Sequence, residues 1–296
     1  MKKNSLSFIV FIATSFLHQG MVAQDVVGLS FGYEYLPSAE LVTPLVDAPG
    51  LEIETRSWSL TGAFPLSFQE GKIMVHNRIN YKKTSFSYKN FPVDGTEIEH
   101  AQYIEYSFFM IDSLSPKWKL AAMLMPILAS DFESSLSKDD LIIGGILGLI
   151  RTIKPNLDLG FGLAYMSDFG NPIPLPFIYI DWQPAPKWIV NGIIPSNLII
   201  GRQMTDWLDL GLELSVDGNR FHGNPAKFGT PKPYMRYSEG TLSSLARFHF
   251  SEWLHLNVQG GWGFYRNFEF YENRDKLNSF DMKKVGYFRT EVIIGI

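Results

Sequence analysis

The chain has 296 residues, a net charge of −4 with 19% charged residues, and no cysteine. Balanced charge without a basic stripe excludes a nucleic-acid groove, and the missing thiols exclude a lipoprotein anchor, a disulfide framework and thiolate metal sites. Aromatic residues make up 15% of the chain, so the fold must provide a place for many rings.

Lys2 and Lys3 precede an apolar stretch from Leu6 to Leu17, and small and polar residues follow to Ala23. That order is that of a secretory signal peptide, with cleavage expected near Ala23 or Gln24. The apolar run falls short of the about 20 residues of a spanning helix. The expected organisation is a leader over 1–23 and one domain over 24–296, with no room before the first strand for the plug of a TonB-dependent receptor. Beyond the leader, the longest strongly apolar stretch is Leu141 to Ile150, about half a spanning helix.

From there on the recurring pattern has period two, the signature of strands with two unlike faces. Leu157, Leu159, Phe161, Leu163 and Tyr165 alternate with Asp158, Gly160, Gly162 and Ala164. Leu208, Leu210, Leu212, Leu214 and Val216 alternate with Asp209, Gly211, Glu213 and Ser215. Leu254, Leu256 and Val258 stand opposite His255, Asn257 and Gln259, and near the end Phe288, Val292, Ile294 and Ile296 oppose Tyr287, Arg289 and Glu291. The predicted strands are 26–36, 52–67, 72–88, 98–112, 117–130, 140–153, 157–168, 175–184, 187–195, 197–205, 207–219, 233–250, 253–271 and 284–296. Alternation is weakest in the ninth and tenth, and without that hairpin the count is twelve.

The connections alternate between short turns and long polar loops, with one exception at IIPSN (193–197), where a nominal long loop would be very short; outer-membrane barrels likewise carry tight turns on one rim and long loops on the other. Trp118, Trp188, Trp207 and Trp253 each follow a short turn, a placement expected of an interfacial aromatic girdle near the periplasmic rim. The chain ends inside an alternating strand at Ile296, as in barrels whose last strand closes on the first. The fold class expected is a closed antiparallel up-and-down transmembrane β-barrel of about 14 strands, its apolar faces on lipid.

The same phasing puts His76, Arg78, Glu105, Asp158, Asp181, Asp209, Glu213, Arg247, His249, His255, Arg289 and Glu291 on the inner faces. Charges held away from bulk water need opposite partners or enclosed water, so these residues are expected either to brace the barrel or to line a solute path. A barrel lipid hydrolase would need a Ser or Thr beside a His base. His222, His249 and His255 are the candidate bases, and no G-x-S-x-G signature accompanies them. Loop carboxylates Asp131, Glu133, Asp139 and Asp140 do not follow a calcium-loop spacing. No catalytic residue, metal site or cofactor is expected.

The segments EYSFFMI (105–111), ASDFES (129–134), FGNPIPLP (169–176), IIPSN (193–197), DGNRFHGNP (217–225), RYSEGTL (236–242) and FYRNFEFYE (264–272) resemble an uncharacterised outer-membrane β-barrel family widespread in Bacteroidota and known as a domain of unknown function. The resemblance covers most of the mature chain. It implies outer-membrane location and fold, and assigns no reaction or functional residues. The expected partners are outer-membrane lipid and the barrel assembly machinery, with no nucleic acid. The expected function is a passive pore or small-solute transporter with a polar lumen; the alternative is a non-conducting structural or interaction barrel that displays its external loops.

Overall fold

The computed structural model describes residues 28–42, 50–91, 98–166, 173–229, 232–273 and 275–295. The leader expected over 1–23 and the terminal Ile296 lie outside them. Fifteen strands follow in order: β1 (Gly28–Glu40), β2 (Glu52–Phe68), β3 (Ile73–Lys89), β4 (His100–Ser113), β5 (Trp118–Ser130), β6 (Leu141–Lys154), β7 (Leu157–Met166), β8 (Ile173–Trp182), β9 (Trp188–Ile194), β10 (Asn197–Gln203), β11 (Leu208–His222), β12 (Pro233–His249), β13 (Leu254–Glu272), β14 (Asp275–Asp281) and β15 (Val285–Gly295). One short helix, α1 (Pro225–Phe228), follows β11. Among the described residues no helix is long and apolar enough to cross a membrane.

Each strand pairs with its neighbour in antiparallel register from β1 to β13, β15 pairs with both β13 and β1, and the ring therefore closes on fourteen strands. β14 stands outside the ring as a hairpin on the far end of β13. The hairpin of β9 and β10, the weakest part of the sequence pattern, is present and fully paired. Two expected loops are partly strand. β11 continues to His222 and β13 to Glu272, and β14 takes up residues 275–281 of the stretch ENRDKLNSFD (272–281), whose polar composition predicts a long loop.

Register explains why period two is so strict. Leu198, Leu214, Leu242 and Trp262 are successive cross-strand partners over β10 to β13, while one position along Ile199, Glu213, Ser243 and Gly261 form the adjoining row. The first row faces out and the second faces in, since Leu242 is 45% and Trp262 65% exposed whereas Glu213 is 1% exposed. A water-soluble barrel would bury its aliphatic rows; this one presents them on its outside, as a lipid-facing wall does.

Short turns gather on one rim and, except for the two-residue β9–β10 turn at Pro195 and Ser196, long connections on the other; the last strand returns to the short-turn rim, where Gly295 N donates to Trp253 O at 2.8 Å. Trp118 and Trp188 open β5 and β9, and Trp207 and Trp253 stand just before β11 and β13. Arg151 lies 5.4 Å from the Trp118 ring and Arg202 5.4 Å from the Trp188 ring, an arrangement in which cation and indole both suit an interface between lipid and water.

The interior is not the uniformly polar lumen expected from the sequence. The inner faces of β4 to β8 carry Phe109, Ile111, Met123, Met125, Ile127, Ile146, Ala164, Met166 and Phe177, all in one buried apolar cluster. The inner faces of β1 to β3, β11 to β13 and β15 carry most of the buried polar groups. Phe177 lies over Gly148 and Gly162 of the apolar wall: a Cβ on Gly162 would stand 2.7 Å from that ring and 2.3 Å from Leu147 O. Glycine is required there because strand and ring approach more closely than any side chain allows.

Candidate functional site in the barrel lumen

The lumen is built in three levels. Nearest the long-loop rim is an aromatic level. Phe86 of β3 meets Phe268 of β13 at 5.7 Å between ring centroids and Tyr237 of β12 at 5.6 Å, and Phe270 meets Phe280 of β14 at 5.6 Å. β3 and β13 are not neighbours in the ring, so these rings cross the interior. Arg266 is 1% exposed beside them; its guanidinium donates to Ile53 O at 3.0 Å and to the Thr55 hydroxyl, both on β2. A guanidinium so far from solvent is tolerable only because it is charge-assisted and hydrogen-bonded.

The rim above is crossed by the end of β11. His222 pairs in parallel with Ser130 at the end of β5, although β6 to β10 stand between those strands around the ring. Asp131 N and the Ser130 hydroxyl donate to His222 O at 3.0 and 3.2 Å. Asn224 N donates to Asp131 Oδ2 at 2.6 Å, and His222 Nδ1 lies 3.1 Å from Asp140 Oδ1. Lys232 reaches Asp139 at 3.1 Å. Here residues 222–229 and Lys232, within the stretch DGNRFHGNPAKFGTPKP (217–233) whose polar composition predicts a long external loop, form a strap fastened to the β5–β6 connection. Burial raises the Asp140 pKa, but hydrogen bonds from Ser130, from the Ser137 backbone and hydroxyl and from His222 outweigh it and hold the carboxyl below its ordinary value.

The middle level encloses a cavity of about 100 Å³. Lys82 of β3 donates to Asp217 of β11 at 3.1 Å and to Glu34 of β1 at 3.4 Å. Tyr287 donates to Glu34 at 3.3 Å, Tyr103 to Glu105, and Tyr237 to Glu239. Arg78, Arg289 and Glu291 complete the charged wall, and Met125, Ile127, Met166 and Phe221 also line the cavity.

The third level closes the interior toward the short turns. Gln259 donates to Glu213 at 2.6 Å, Arg247 to Asn257 at 2.8 Å, and Asn257 to Glu291 at 3.1 Å. His249 Nε2 lies 2.8 Å from Asp209 Oδ2 and its Nδ1 2.9 Å from His255 Nδ1. His76 is buried against the Phe109 ring, 6.1 Å between centroids. Asp158 and Asp181 are cross-strand partners on β7 and β8, and Lys119 holds Asp158 at 2.7 Å.

Apart from His76, which is buried against Phe109, the inner-face residues named from sequence fall into three groups. Arg78, Glu105, Arg289 and Glu291 line the cavity; Asp209, Glu213, Arg247, His249 and His255 belong to the level below; Asp158 and Asp181 stand apart on the other wall. Glu34, Lys82, Asp217 and Glu239 were missed. Their signal was the same alternation, since Glu34 stands in phase with Ser30 and Gly32 between the outward Phe31, Tyr33 and Tyr35.

A sequence family described as a domain of unknown function (DUF6268) matches residues 19–296. The chain belongs to this family. No protein among those with curated descriptions matches it. Solved structures similar to this DUF6268 chain include an outer membrane channel from Pseudomonas putida F1 at 9% identity, covering 94% of this chain and 98% of that one with a TM-score of 0.46. The toluene transporter TodX of P. putida is similar at 9% identity, with 96% and 92% covered and a TM-score of 0.43. The NanC porin is similar at 8% identity, with 90% and 100% covered and a TM-score of 0.40. At these scores the likenesses carry nothing about ligand or transport for the DUF6268 barrel.

Proposed function

We propose that this barrel resides in the outer membrane, exported by the leader over residues 1–23 and folded there by the barrel assembly machinery, and that it is a gated channel for small solutes. The observation that carries this reading is the cavity of about 100 Å³ at mid-barrel, lined by charges, with the aromatic level above it and the Asp209–His249–His255 and Arg247–Asn257–Glu291 hydrogen bonds below. A barrel meant only as a rigid wall has no need to hold eight acidic and basic side chains around one space, since desolvating them is costly. The strap is the movable part of this reading: it is tied by a handful of hydrogen bonds, each worth about 0.5–1.5 kcal/mol net.

The packed aromatic level favours a second reading, a sealed barrel that displays its strap and the β13–β14 hairpin. Reconstitution in planar bilayers separates the two. A gated channel shows rare openings in the native protein, and a double variant Asp131→Ala, His222→Ala that releases the strap raises the open fraction several-fold. Silence from both proteins, each verified as folded, supports the sealed barrel.

A further inference from the structure

The middle cavity has a chemical bias that its role as a solute path does not require. Five carboxylates line it, those of Glu34, Glu105, Asp217, Glu239 and Glu291. Three cations face them, Arg78, Lys82 and Arg289, which leaves an excess of two acidic groups (five minus three). Lys82 already displays how this wall holds an ammonium, with Glu34 at 3.4 Å and Asp217 at 3.1 Å on one nitrogen. Glu239, 2% exposed, accepts from the Tyr237 hydroxyl, and a carboxylate offers about four lone-pair sites, so it has capacity for a further donor.

The opposite side of the cavity is hydrocarbon and thioether: Met125, Ile127, Met166 and the Phe221 ring. That wall has no oxygen with which to replace the water shell of an inorganic cation, and among the described residues no group of three or more His, Cys, Asp or Glu is placed to hold a metal ion. An occupant that satisfies both walls carries one positive, hydrogen-donating head and an apolar body. Its size follows from the volume. A dry cavity of about 150 Å³ takes a molecule the size of benzene, so about 100 Å³ suits a chain of about four carbons.

We propose that the cavity binds small primary alkylammonium ions, the head on Glu239 with Glu34 and Asp217 nearby and the chain against Met125, Ile127 and Met166. This deepens the channel reading by naming its solute class, and it rests on that reading for its physiological meaning. Charge-assisted bonds in an enclosed site are the strong ones, and a neutral or anionic head of the same shape leaves the carboxylates without a counter-charge.

The test is calorimetry on the purified, folded barrel in detergent with four probes: n-butylammonium, methylammonium, n-butanol and butyrate. Butylammonium is expected to bind about ten-fold or more tightly than methylammonium, which lacks the chain, and n-butanol and butyrate to give no saturable signal. Glu239→Gln, which keeps the side-chain shape, is expected to weaken butylammonium about ten-fold. Asp217→Asn serves as a second variant if the first does not fold. Butyrate binding as tightly as butylammonium, indifference to both variants, or no butylammonium binding at all overturns the proposal. Binding in detergent does not require conduction. A barrel that conducts without binding butylammonium loses only this inference, and one that binds it without conducting loses only the channel reading.

Discussion

Lys82 of β3 and Asp217 of β11 meet across the lumen at 3.1 Å, and Glu34 of β1 takes the same ammonium at 3.4 Å. One cation thus joins three strands from different parts of the ring. Lys82→Met leaves two carboxylates without it. Breaking a fully desolvated pair costs about 3–5 kcal/mol. The Asp217 side chain is 47% exposed toward the cavity, so the expected loss is about 1–3 kcal/mol after allowing for screening. It is read as a lower midpoint for the heat-induced change in gel migration, and adding Asp217→Asn is expected to restore part of it. A single variant as stable as the parent makes the bridge energetically idle.

Gly162 sits under Phe177, where a Cβ would lie 2.3 Å from Leu147 O and 2.6 Å from Gly148 Cα. Both obstacles are backbone, so the strands themselves must part. Gly162→Val is expected to destabilise the barrel by about 1–3 kcal/mol, as overpacking does. Combining it with Phe177→Ala is expected to recover little, because the backbone clash remains; full recovery would assign the constraint to the ring instead.

Leu212 is an outward residue of β11, 54% exposed. Arginine on the lipid face near the midplane costs about 2–4 kcal/mol, so Leu212→Arg is expected to shift the urea midpoint of folding into vesicles by that amount, while Leu212→Phe folds as the parent does. Equal folding of both variants would contradict a lipid-facing wall.

The strap has a pH dependence of known sign. The Asp140 pKa is depressed from its ordinary 3.8, so its contribution is present in full above that value and is lost as pH falls through the lower folded value. Protection of the strap from an added protease is therefore expected to persist through mildly acidic pH and to fail only below about 3.8. Asp140→Asn is expected to be cut readily at neutral pH; protection of that variant equal to the parent removes Asp140 from the fastening.

How much of this was legible in the sequence varies from element to element. β11 could be read residue by residue, since leucines and carboxylates alternate along it, and Asp209 and Glu213 both lie on its inward face. β6 hid its inner face. In LIIGGILGLI both faces are apolar, and the difference between them is one of size, with inward Ile142, Ile146 and Ile150 interleaved with Gly144, which makes room for Met125, and Gly148, which makes room for Phe177. The apolar half of the lumen was invisible because a hydrocarbon surface reads alike whether it meets lipid or another wall. The segment that forms β14, DKLNSFD, and the last three residues of β11, Arg220 to His222, show no clean alternation of apolar and polar residues, yet pairing to a neighbouring strand satisfies their backbone regardless of such preferences.

By itself the sequence determined the fourteen strands of the ring and, wherever polar and apolar residues alternate, the side of the wall to which each residue turns, because side chains on a strand alternate with a period of two. The tertiary structure decided who meets whom across the interior: Lys82 with Asp217, Arg266 with Ile53 and Thr55, His222 with Ser130. Those contacts depend on strand number, stagger and closure of the whole ring, quantities to which every strand contributes and which no single segment encodes.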